Sequence, residues 1–167
     1  MPATYEPIAT TTLGSAQSSV SFTSISGSYT DLIVVANIAQ AAGNNSLRYR
    51  FNSDTGSNYS YTIISGDGTS ASSGRDSNLT SGLAANTAGS TSLELLVIFQ
   101  ILNYSNATTY KTTLGRGNRA SSATDAAVGL WRSTNAITSI NLAMGSTFPS
   151  NNFASGSTFT LYGIKAA

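Results

Sequence analysis

The chain contains neither cysteine nor histidine among its 167 residues. The first absence excludes disulfides, thiolate nucleophiles and Cys-type zinc sites together. The second removes the commonest general base and the commonest metal ligand. Charge is scarce as well. Asp, Glu, Lys and Arg make up 9% of the chain, against roughly 25% in an ordinary globular domain. The basic residues are scattered singly and the net charge is +1, so no basic stripe exists to neutralise a phosphate backbone, and nucleic acid is not an expected partner. The longest apolar run, Leu95 to Phe99, falls far short of the roughly 20 residues that span a membrane, and no membrane partner is expected. The first residues, MPATYEPIATTTLGS, have no basic n-region and no apolar h-region. No secretory signal is expected, and the chain is read as made in a cytoplasm.

What fills the space left by charge is Ser, Thr, Asn and Gly, around a hydrophobic fraction of 40%. That composition suits a β-rich domain with a neutral, hydrogen-bonding surface, and it lacks the high net charge of disorder. Helical periodicity is nearly absent; alternating and β-branched runs dominate, broken at short intervals by turn residues. Strands are expected near 5–13, 18–25, 31–39, 46–51, 59–65, 92–103, 109–114, 126–132, 137–144 and 158–165. The expected fold is therefore all-β: a single-domain antiparallel β-sandwich over residues 1–167, jelly-roll-like, of about ten strands. Residues 1–12 are read as either an extended arm or the first strand. Residues 66–90, GDGTSASSGRDSNLTSGLAANTAGS, read as one long loop with an irregular edge strand around 78–83. The turns between strands include GRGNRASS, residues 115–122.

Two strands, DLIVVANIA and LELLVIFQILNY, are apolar on both faces. A sandwich strand needs only one apolar face, so their second face is expected to be covered by the same chain or by another subunit.

The stretch RYRFNSDTGSNYSYTII, residues 48–64, offers the best-defined candidate site. Asn52, Asp54 and Asn58 alternate around Gly56 and imitate calcium ligands. A calcium loop, however, carries several carboxylates and closes with a Glu twelve positions on, and only Asp54 is acidic here. The competing reading is a hairpin turn, with Asn, Asp and Gly at left-handed positions and cross-strand pairing of Tyr49 and Phe51 with Tyr59 and Tyr61. Arg48 and Arg50 fall on the opposite face. They read either as a solvated face with stems lying on tyrosines or as a grip for a carboxylate or neighbouring subunit, with Arg75 as a third such cation. Trp131 reads as a core or interface residue, or as a sugar-stacking platform. Asp67 and Asp76 are the nearest thing to a glycosidase pair, but no context marks them. With no histidine and no serine-nucleophile motif, no enzyme activity, no catalytic residue and no cofactor is expected.

Taken together, TTLGSAQSSVSFTSISGSYTDLIVV, LRYRFNSDTGSNYSYTIISGDGTSASSGRDSN, NYSNATTYKTTLGRGNRASS, VGLWRSTNAITSINL and FASGSTFTLYGIKAA resemble a family of small virion proteins of tailed phages. The family is common among phages of aquatic bacteria, cyanobacteria included. The resemblance implies a β-sandwich structural protein: a head decoration (cement) protein at the capsid surface, or a fibre or baseplate module. In the first case the implied partners are further copies of the chain, as a homotrimer, and the major capsid protein, with residues 3–12 laid on the shell. In the second, a host glycan would bind a surface built on Arg48, Arg50, Tyr59, Tyr61, Arg75 and Trp131.

Overall fold

In a computed structural model, residues 4–39, 46–86, 95–119 and 123–165 are described, and they contain no helix. Twelve strands follow in order: β1 Tyr5–Thr12, β2 Ser19–Phe22, β3 Asp31–Ile38, β4 Leu47–Phe51, β5 Tyr59–Gly66, β6 Ala71–Leu79, β7 Gly82–Ala85, β8 Leu95–Leu102, β9 Lys111–Arg119, β10 Ala123–Trp131, β11 Ile140–Met144 and β12 Thr158–Ile164. They form an eight-stranded sheet, β1-β12-β3-β8-β9-β10-β5-β6, and a four-stranded sheet, β2-β11-β4-β7. Every pairing is antiparallel.

Eight of these strands pair in a nested series. The outermost, β1 and β12, pair with each other, as do β2 with β11, β3 with β8, and β4 with β7. One long hairpin rolled up in this way is a jelly roll. Two hairpins are inserted into it, β5–β6 between β4 and β7, and β9–β10 between β8 and β11. They lie side by side through the β10–β5 ladder and widen one sheet to eight strands.

All ten expected strands are present, some trimmed or lengthened at their ends. The two additional ones, β6 and β7, come from the stretch read as a loop. β6 is an edge strand exposed along most of its length, so its residues, ASSGRDSNL, carry no hydrophobic alternation for a sequence reading to detect. The expected turn at 115–122 is strand as far as Arg119, because Gly115 and Gly117 sit in the β9 ladder; residues 120–122 lie outside the described set, as do residues 87–90 of the supposed loop and residues 92–94 of the strand expected at 92–103. Residues 5–12 form a strand rather than an arm, paired with β12; residues 1–3 are outside the described set.

The core lies between the sheets. The large sheet contributes Leu32, Val34, Val97, Phe99, Phe159 and Leu161, and the small one Val20, Phe22, Tyr49, Phe51, Ile140 and Leu142. At the inserted hairpins the sheets close to near-backbone contact: a Cβ built on Gly115 would lie 1.8 Å from the Ala84 carbonyl oxygen. Within the small sheet the Tyr49 ring lies over its cross-strand partner Gly82, where a Cβ would come 2.1 Å from the ring. Tyr104, just beyond β8, donates its hydroxyl to the Ser26 carbonyl and accepts from the Tyr29 N–H, closing the loop that leads into β3.

Because the atom facing Gly115 is backbone, it cannot move aside as a flexible side chain would. Gly115→Ala should destabilise the fold by about 3 kcal/mol or more, lowering the melting temperature by roughly 6–12 °C. Gly14→Ala, with nothing within 4 Å of its Cβ, should leave it unchanged. Calorimetry of the two variants checks both expectations.

Candidate functional site

Residues 48–64 do not form a hairpin. β4 belongs to the small sheet and β5 to the large one, so residues 52–58 arch from one layer to the other. Of the expected aromatic pairs one forms, and across the sandwich: Tyr49 and Tyr59 pack edge to face with ring centroids 5.9 Å apart. Tyr49 also lies 4.6 Å from Phe51 on its own strand and 4.6 Å from Phe99 on the facing sheet.

The arch begins with a tight turn. Asn52 and Ser53 have φ of 50° and 57°, in the left-handed region that Asn tolerates better than most residues, and the Asp54 N–H donates to the Phe51 carbonyl at 2.9 Å. Two of the three candidate ligands turn their oxygens towards N–H donors, and the third, Asn58, donates to one of them. Asn52 Oδ1 accepts from the backbone N–H groups of Thr138 (2.8 Å) and Ser139 (3.1 Å), while its Nδ2 donates to the Ala136 carbonyl. Asp54 Oδ1 accepts from the Gly56 N–H at 2.8 Å. Its Oδ2 accepts from Asn58 Nδ2 at 2.9 Å and Trp131 Nε1 at 2.7 Å. A cation at this carboxylate would have to displace three donors that already satisfy it. Partial burial pushes the Asp54 carboxyl pKa up, but bonds from Trp131, Asn58 and Gly56, with the charge of Arg50 nearby, outweigh burial and hold it below the ordinary range.

Trp131 is therefore a core residue, 2% exposed. Its ring stacks beside Tyr59 and lies edge-on to Phe51, and its indole N–H finds the acceptor that a buried tryptophan requires. Tyr59 is fully buried, and its hydroxyl accepts the Phe51 N–H at 3.0 Å. Tyr61 is half-buried and packs on Ile63, Leu83 and Ala127.

The two arginines of β4 hold backbone. Arg48 Nε donates to the Gly145 carbonyl at 3.0 Å. Arg50 Nε donates to the Thr80 carbonyl at 2.8 Å, and its guanidinium sits 4.4 Å from the Phe148 ring centroid. They lie over a phenylalanine and two loop carbonyls, not over tyrosines; Tyr49 points the other way, into the core. Arg75 is exposed on β6, opposite Thr62. Asp67 caps its own turn, its Oδ1 accepting from the Thr69 and Ser70 N–H groups. Asp76 pairs with Tyr61, whereas Gly66 beside Asp67 pairs with Ala71. That offset of five strand residues is about 17 Å along the ladder, well beyond the separation of a glycosidase pair.

Two placements were not read from the sequence. Lys111 is fully buried on β9, with its Nζ donating to the carbonyls of Thr109 (2.7 Å) and Thr134 (3.1 Å), and burial lowers its pKa. The Trp131–Asp54 bond was detectable in principle: a lone tryptophan in a strand needs an acceptor, and the arch holds a single carboxylate. Among the described residues, no group of three or more His, Cys, Asp or Glu side chains converges on a metal-sized point.

The outer face of the large sheet is the remaining candidate. Val35, Ile98, Arg116, Ala126 and Ile64 are laddered across β3, β8, β9, β10 and β5 in one row. Leu96, Leu102 and Val128 lie on the same face in neighbouring rows. Val35, Ile64, Leu96, Ile98, Leu102 and Val128 are exposed by 39% to 62%, and they are all the large aliphatic side chains so exposed among the described residues. The end of the β5–β6 hairpin and the Leu96–Ile98 segment of β8 wall an open groove of about 970 Å³, with Arg116 in its floor. Within the described chain, nothing covers the second apolar face expected for β8.

Asp54→Ala should cost about 3 kcal/mol, because it leaves Trp131 Nε1 buried without an acceptor. The lowered carboxyl pKa makes the contribution of Asp54 fully present above the unfolded value of about 4, and it is lost as pH falls through the native value. Thermal denaturation of both proteins between pH 2 and 7 should show the difference shrink at the acid end. Millimolar calcium should shift the wild-type melting temperature by less than about 1 °C, the result for an ion without affinity for the native state. In comparisons with known proteins, no family model, no curated protein and no solved structure matches this chain.

Proposed function

We propose that the chain is a structural protein of a tailed-phage virion: a decoration, or cement, protein that self-associates as a trimer and binds the major capsid protein at the capsid surface. The jelly roll houses capsid domains, lectins and cupins alike, so the architecture by itself does not choose among them. The side chains narrow the choice. Cupin-type metal chemistry needs converging imidazole or carboxylate ligands, and the chain has no histidine. The glycan surface expected from the sequence loses Tyr59 and Trp131, which lie in the core.

The observation that carries the proposal is how polar chemistry and apolar surface are divided. Arg48, Arg50, Lys111, Asp54 and Asp67 are engaged in bonds within the chain, while the exposed aliphatic side chains gather on one sheet face. Such a molecule is equipped to stick rather than to react. A protein that binds the assembled shell and not free capsid subunits stabilises the shell by mass action, by about 2.7 kcal/mol per site at a hundredfold excess over Kd. A neutral surface keeps that contact insensitive to salt.

Quantitative mass spectrometry of purified particles of the phage that encodes this chain should find it at capsid-like copy number, in the hundreds. Antibody against it should decorate heads in electron micrographs. Absence from particles would end the virion proposal; a few dozen copies with label confined to tails would replace decoration by a fibre or baseplate role.

A further inference from the structure

From the geometry of the outer face we infer that the large sheet, from β3 across to β5, is the surface through which the chain binds a second copy of itself. A sheet face stacked on the same face of a second copy closes as a two-fold pair, so this contact is additional to the threefold one in the proposed function, and it stands on the sheet alone.

Extent is the first argument. Five strands at about 4.8 Å spacing, and the six-residue rise from Leu96 to Leu102, make a patch of roughly 19 by 20 Å. Side-chain relief brings the accessible area to the order of 600–800 Å² per copy, the range of the smaller specific interfaces. Six exposed aliphatic side chains concentrate there, interspersed with Asn118, Gln100 and Thr62, and such a concentration of exposed apolar side chains marks a contact surface.

Chemistry identifies the occupant. In the three ladder rows from Leu96 to Gln100, Arg116 is the only charged residue pointing outward on these five strands. A membrane surface would call for basic and aromatic side chains around the aliphatic ones, and the row ends instead in Ser73 and Thr160. A small ligand would call for enclosure, and the groove is open. A second sheet face of aliphatic and neutral polar side chains stacks on this one at about 10 Å with the usual twist between layers, and a second copy supplies such a face with no like-charge conflict except at Arg116. Arg116 is exposed and forms no ion pair among the described residues. Its long stem lets the guanidinium reach past the apolar row to water, so the contact does not depend on its charge.

Light scattering coupled to size exclusion, on the full chain between about 5 and 200 µM, tests this. The wild type should elute at an even multiple of 17.2 kDa. Ile98→Glu should weaken association at least a hundredfold with the far-ultraviolet circular dichroism unchanged. Should that variant misfold, Leu96→Thr with Val128→Thr, both compatible with strands, carries the same expectation. Arg116→Gln and the remote Thr23→Glu should associate at least as well as the wild type. A monomer throughout the concentration range, or an oligomer that survives both face variants, overturns the inference. So does loss of association on Arg116→Gln alone, since the attraction would then be ionic. Self-association through this face by a chain missing from particles would sink only the virion reading; a monomer present at capsid stoichiometry would sink only this one.

Discussion

Tyr49 holds the two parts of the molecule in register. Its ring is fully buried where the jelly roll meets the inserted hairpins, its hydroxyl 3.0 Å from Thr113 Oγ1 on β9. A phenol so placed must keep its proton and find a partner, and burial pushes its pKa far up. The slot exists because Gly82 on β7 and Gly129 on β10 leave room: a Cβ on either would strike the ring or the hydroxyl. Small sheet, β9 and β10 are thus tied at one point. β5 follows through its ladder to β10 and the stacking of Tyr59 on Trp131. Without that junction the inserted hairpins would have only β7 beneath them.

Scarcity of charge explains the arch. In a chain with few ionic groups, each can be consumed in satisfying backbone and indole groups that burial would otherwise leave unpaired. Asp54 accepts three N–H groups where a metal would need empty lone pairs, and Arg48 and Arg50 fasten the loops at 145 and 80 where a ligand grip would need a free fork. The same geometry that makes residues 48–64 look like a site makes it an effective clasp between layers.

Much of the fold was legible because a two-sided sandwich writes period-two alternation into every strand it buries on one face. β4 and β12 show it in sequence and in burial alike, and β8 shows it in burial although its sequence is apolar on both faces. β6 shows none, since an edge exposed on both sides imposes no pattern. The arch was misread as a hairpin for a related reason: an Asn-Ser turn with both φ values positive is the chemistry of a hairpin loop, and only the non-local pairing of β4 with β11 and of β5 with β10 sends its two strands to different sheets. Local turn chemistry cannot encode that. The inward turn of Trp131 was among the expected outcomes; what escaped was its acceptor, 77 residues away in sequence.

The outer face also separates what folding demands from what it does not. Along the same row of the large sheet, the strands on one side present Thr10 and Thr160, which bond to each other, while the middle presents Val35, Ile98 and Ile64. Threonine matches these residues in β propensity and would serve an outward position in an isolated subunit equally well. The inner faces already supply the core, and no aliphatic side chain of the outer row is required by it. Exposed Leu and Ile there gain only what their cross-strand neighbours cover, and the part left in water raises the free energy of hydration. That excess is recovered only when water leaves the face, as it would in the self-association proposed above.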